Sequence, residues 1–245
     1  MAGAVQSAMP FTFNGIGTAL RGYSSPIYWT KPGWMGLGQK ADHDAMECFV
    51  LLYVPLIPLR AVHTFSWTGN RYRVLPLRGA GRLVLNVYGR LLGMALAVGG
   101  LWGLLLAVAG SSSGGRPGSQ LAVEIGIALV VSGLGYGIVR WLRSRDSRTR
   151  DVRLVIGPHE AGSSDPALWS KEVLEKVKPV PLSDAQASLQ GGHYAQAMMR
   201  ARIAAALGDP DAERLTDEIL AHPEIQAALP ALRREPWRRG EFLKG

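Results

Sequence analysis

The chain has 245 residues, a formal net charge of +8 and 47% apolar residues, a length that fits one large domain or two small ones. That apolar content excludes a disordered chain, 30 glycines are too few for a collagen-like one, and the single cysteine, Cys48, excludes an intrachain disulfide and a multi-cysteine zinc site. A membrane protein stays open, because an average hides where the apolar residues sit. Met1–Pro10 lacks a charged start and a long apolar run, so no cleavable signal peptide is expected.

The first region, residues 1–82, is expected to be a small β-rich module. Phe11–Phe13, Thr64–Trp67 and Arg71–Leu75 look like short strands, with Thr68-Gly69-Asn70 as a hairpin turn. Asn14-Gly15-Ile16-Gly17-Thr18 reads as a tight turn. It is no dinucleotide fingerprint, since position 20 is Leu and no helical pattern follows. Asp42, His43 and Asp44, with Glu47 and Cys48, have the ligand chemistry of a metal site but not its spacing. They are expected to be a solvated loop entering a strand, with Cys48 facing the sheet. Twelve apolar residues then separate Glu47 from Arg60, with prolines at 55 and 58. The stretch is too short to span a bilayer, so a central strand from Cys48 to Val54 that leaves the sheet at Pro55 is expected. Part of this surface is a candidate for resting on a bilayer.

The Asn14–Thr18 turn followed by Pro55-Leu56-Ile57-Pro58-Leu59-Arg60 resembles the N-terminal module of uncharacterised bacterial two-span membrane proteins. The Pro-Leu-Ile-Pro-Leu run is also similar to a strand of membrane-linked zinc-ribbon proteins, without their paired cysteines. The resemblance covers roughly 50 residues, implies a β-rich module and carries no activity.

Residues 83–141 read as a transmembrane hairpin, with spans at about 89–110 and 121–141 and a Ser/Gly-rich linker at 111–120. Leu91–Gly110 is twenty residues without a charge, seven of them Leu. Twenty helical residues cover about 30 Å, and seven central leucines favour insertion by about 3–4 kcal/mol. Leu121–Val139 carries one charge, Glu124. Arginines 60, 71, 73, 78, 82 and 90 precede the first span, and arginines 140, 143, 145, 148, 150 and 153 follow the second; the linker has only Arg116. The positive-inside rule then places both termini in the cytoplasm, and the resemblance to bacterial proteins implies the inner membrane of a bacterial cell. Arg82, Tyr88, Arg90, Arg140, Trp141, Arg143 and Arg145 are the candidate interface anchors. Gly99 with Gly103, and Gly133 with Gly137, have the four-residue spacing that lets helices pack closely, either within the hairpin or in a homo-oligomer. Glu124 is expected to snorkel; an ion relay is its functional alternative.

Residues 142–153 form a basic juxtamembrane segment suited to anionic lipid rather than to nucleic acid. Residues 154–230 read as a helical module. It is preceded by a short strand, Arg153–Ile156, and opened by a helix from Pro166 to about Lys178, capped by Ser164 or Asp165. The Gly157-Pro158-His159 to Trp169 stretch also resembles the same membrane proteins. Helices are expected within Ser183–Leu207, broken at Gly191-Gly192, and over Asp209–Ala221. Gly192–Ala197 is similar to part of a tetratricopeptide repeat, though only one unit is visible. The tail, 231–245, is basic. His159, Glu160, Asp165 and His193 are the candidate acid–base groups, of which His159 and Asp165 stand out, but no nucleophile elbow accompanies them.

The fold class expected is therefore a membrane protein of α+β type. Its expected role is a membrane-anchored scaffold or adaptor that binds a protein partner through residues 155–230. One alternative is a subunit of an oligomeric channel or transporter, and a second is a membrane-bound enzyme with a site around His159. No cofactor, metal ligand set or small-molecule substrate is indicated by the residues.

Overall fold

The computed structural model describes residues 6–8, 12–13, 16–21, 26–30, 41–68, 71–111, 118–145, 147–159 and 162–243, with side chains at all of these except 6–8, 66–72, 111, 143 and 145. The fold is α+β. Among the described residues, an N-terminal half-barrel of seven antiparallel strands is built from β1 (Gln6–Ala8), β2 (Thr12–Phe13), β3 (Ile16–Arg21), β4 (Ile27–Tyr28), β5 (Ala41–Leu51), β6 (Val54–Thr68) and β7 (Arg71–Pro76). The strand order is β1-β7-β6-β5-β3-β2, with β4 paired to β5 off that path. The helices are α1 (Ala80–Ser111), α2 (Gly118–Arg145), α3 (Ser147–Ile156), α4 (Lys171–Leu174), α5 (Leu182–Gln190), α6 (Tyr194–Ala206), α7 (Ala212–Ala221), α8 (Pro223–Arg234) and α9 (Arg239–Phe242).

The chain divides into two compact units. One joins Met1–Leu83 to Ser147–Gly245, and the other is Val84–Asp146. Stretches 1–82 and 154–230, which the sequence suggests as two modules, thus fall in the same unit. Their joint core holds Ile27 from β4 together with Val152 and Leu154 from α3, Met198 from α6, Ile219 from α7 and Leu232 from α8. A second cluster packs Phe65 and Leu75 of the sheet against Trp169, Val173 and Leu174.

Several expectations are corrected. The chain does not leave the sheet at Pro55. Strand β5 turns back through Leu52 and Tyr53, and both prolines lie inside β6. Bulges in the facing register between Glu47 and Cys48 and between Phe49 and Val50 lie beside Pro58 and Pro55, whose missing N–H groups the ladder must accommodate. Arg153–Ile156 is helical, the end of α3, because Val152, Leu154, Val155 and Ile156 all find burial in the helical core. That packing outweighs the strand preference of a β-branched run. The helix expected from Pro166 to Lys178 is instead a 3₁₀ turn, Pro166–Leu168, followed by the four-residue α4. The break at Gly191-Gly192 falls between α5 and α6 as expected. In the tail, α9 is tied back to the unit by Arg239, which donates to the Leu154 and Val155 carbonyls. The turns at Asn14-Gly15 and Gly69-Asn70, the linker residues 112–117 and Glu160 lie outside the described residues.

In the second unit, α1 and α2 are long and apolar enough to cross a membrane. Only 17% of the most apolar stretch of α1 and 11% of that of α2 is buried, whereas a core helix of a soluble protein is mostly buried. Their close contact does not use the expected glycines. A Cβ on Gly100 would meet Ser132, and one on Gly135 would meet the Gly93 and Ala97 backbone, so Gly93, Gly100 and Gly135 carry the approach. Gly99, Gly133 and Gly137 face open space, and Gly103 makes one ordinary contact.

Candidate functional site

The titratable groups concentrate where β5 and β6 meet the segment after α3. Cross-strand register sets Asp44 opposite His63 and His43 opposite Thr64. Neighbouring pairs point to opposite faces of the sheet. On one face His63 Nδ1 lies 2.6 Å from Asp44 Oδ1, with both side chains buried. On the other, His43 Nε2 lies 2.9 Å from the Thr64 hydroxyl. Asp42, two residues before Asp44 on the same face, accepts from Trp29 Nε1 at 3.1 Å and from the Ser163 N–H at 2.8 Å. The solvated loop expected at Asp42–Asp44 is therefore a buried stretch of strand.

Arg153 closes the cluster. It is 1% exposed and donates to the Asp42 carbonyl at 2.7 Å and to the Ser163 carbonyl at 3.0 Å. Burial alone would push the Asp44 carboxyl up. The Arg153 guanidinium and the His63 hydrogen bond outweigh it and hold Asp44 well below the usual carboxylate range. Burial lowers His43 to about 4, so that ring is neutral near neutral pH. Gly162, with φ +69°, brings its backbone over the sheet; a Cβ there would clash with Phe65 Cβ and sit 3.0 Å from His63 Nε2. His63 Nε2 is buried and has no hydrogen-bond partner among the described residues.

Asp44 holds the His63 ring by its Nδ1 edge, an arrangement seen in acid–base chemistry. Here Nε2 abuts Gly162 and the Phe65 ring stacks at 6.1 Å from His63, so the contacts are those of a packed core. A second buried network is structural in the same sense. Asp165 caps the 3₁₀ turn by accepting from the Ala167 N–H and takes both Arg202 Nε and Nη2 at 2.9 Å. Arg202 also reaches Glu213 at 2.6 Å, and Glu213 takes Arg148 at 2.9 Å.

The other expected site residues are scattered. His159 Nε2 lies 3.5 Å from the Ser164 carbonyl, and its ring is tilted 6.2 Å from that of Trp169. The Asp165 oxygens accept from Arg202 and from the Ala167 N–H. His193 is at the start of α6. Arg82 donates to Thr149 at 2.7 Å, Tyr88 and Arg90 are half-buried, and Arg140 and Trp141 are exposed. The Arg143 and Arg145 side chains lie outside the described residues. Glu124 is exposed and lines, with Gly99, Gly100, Gly103 and Ala128, an open groove of about 550 Å³. No group of three or more metal-ligating side chains occurs among the described residues. Comparison of the chain with protein-family models, curated proteins and solved structures returned no match.

Proposed function

We propose that α1 and α2 cross the bacterial inner membrane as a hairpin and that the α+β unit is a membrane-tethered adaptor on the cytoplasmic face. The observation that carries the first part is the exposure of the apolar stretches of α1 and α2, which a bilayer would cover. Co-folding supports the topology. Residues before α1 and after α2 share one unit, which supports a hairpin whose two ends emerge on the same side. The flanking arginines make that side the cytoplasm. Resistance of the full chain to alkaline carbonate extraction is expected, as is a C-terminal reporter active only inside the cell; an active periplasmic reporter would sink the topology.

The adaptor reading assigns the partner to residues 155–230. Among the described residues of that stretch, Leu207 is the one large apolar side chain left exposed, so the contact would be polar and reversible. A photo-crosslinker at exposed Glu218 on α7 should capture a defined protein in native membranes. Uniform background capture would refute the adaptor role. The groove beside Glu124 favours the second reading, a channel or transporter subunit. Two spans cannot enclose a pore, so a monomeric mass in mild detergent would end that reading.

A further inference from the structure

Among the described residues of the α+β unit, the largest apolar exposure is concentrated at one end of the sheet. Leu52 is 72% exposed and Tyr53 62%, at the turn between β5 and β6. Val54, Ile57 and Leu59 extend the exposed surface along β6. The neighbouring β2–β3 hairpin adds Phe13, 69% exposed, and Ile16. Register brings these tips together: Phe13 pairs with Ile16, and the next residue, Gly17, pairs with Val50 beside the β5–β6 turn. Two adjacent hairpins therefore end in large apolar side chains at the same edge.

The turn itself is costly. Leu52 and Tyr53 have φ of 50° and 64°, a left-handed pair where Asn-Gly is the natural choice. Strain of this kind persists where the side chains are needed. The occupant is indicated by the chain's own connectivity. Strand β7 runs antiparallel to β6 and so parallel to β5, toward the tip end, and α1 starts within four residues of its last residue. The unit is thus tethered through α1 and α2 to any bilayer they cross. The chemistry of the tip suits an interface: an amphipathic Tyr53 at the apex, apolar neighbours, and Arg21, which donates to the Tyr53 carbonyl.

We propose that the β5–β6 tip, with Phe13 and Ile16 beside it, inserts into the lipid surface as a third membrane contact. The proposal rests on the reading of α1 and α2 as spans, and the test separates the two. Spin labels are placed at Leu52→Cys, Val98→Cys and Glu218→Cys, each with Cys48→Ala, in the full chain reconstituted into phosphatidylcholine–phosphatidylglycerol vesicles. Collision with oxygen relative to a water-soluble nickel chelate reports depth. At positions 52 and 98 the ratio should exceed that at 218 several-fold. A water-like value at 52 with a lipid-like value at 98 overturns the tip contact alone; water-like values at both overturn the spans as well. Dipolar broadening at 52 without oxygen access would mean a second copy covers the tip, and also overturns it. The double exchange Leu52→Asn with Tyr53→Gly relaxes the turn, so it preserves the fold; a label at Val54→Cys should then lose its oxygen preference, and retention of that preference would overturn the role of the two side chains.

Discussion

Gly162 turns with its backbone pressed onto the His63–Phe65 pair, leaving no room for a methyl group. Gly162→Ala combines a left-handed φ with overpacking, so a loss of about 2–4 kcal/mol is expected, read as a lowered Tm of the full chain in detergent. Two neighbouring residues give a pH signature. His43 binds its proton more weakly folded than unfolded, so its contribution is complete above pH 6.5 and is lost as pH falls toward about 4. Asp44, held below the usual carboxylate range, contributes fully above its ordinary 3.8 and loses that contribution only in stronger acid. Urea midpoints should therefore decline in two stages, and His43→Gln should flatten the first. The sequence contained half of this site. Asp42, Asp44 and Met46 alternate as one face of a strand should, yet carboxylates at such positions read as solvated. Their partner, Arg153, lies 111 residues from Asp42 and looks like one more juxtamembrane cation.

Among the elements, strand β6 was only partly legible, because its two prolines argue for a break that bulges at Leu56 and Leu59 of the same strand make unnecessary. Helices α5, α6 and α7 were legible, since glycine breaks and apolar spacing are local signals. Helix α3 was not, because its burial comes from α6 and α8, far along the chain. The β5–β6 turn offers an element-scale test of strain. Leu52→Asn with Tyr53→Gly should raise stability in detergent by about 1–3 kcal/mol, since two large left-handed residues are relieved. An unchanged or lowered Tm would show that the turn is not strained.

For the whole molecule, the division into units changes what can fold alone. Residues 155–245 lack Ile27, Val152 and Arg153, so that fragment should be unfolded by circular dichroism. A fusion of residues 1–83 to 147–245 through a short Gly/Ser linker should fold cooperatively; a folded 155–245 fragment would contradict the shared core. Wholesale apolarity of α1 and α2 made the hairpin the most legible part of the chain, whereas the pairing of its two flanks was invisible because no local pattern reports a contact between them. That discontinuity also sets an order in biosynthesis. Asp42 and Asp44 emerge from the ribosome long before Arg153. At about 5–20 residues per second, the seventy residues from Leu83 to Arg153 take about 4–14 s. For that interval the nascent half-barrel waits without the guanidinium that holds the Asp44 carboxyl below the usual carboxylate range. Assembly of the unit thus waits on synthesis of α1 and α2, and a pause within α2 would leave an unfinished sheet exposed to proteases and chaperones.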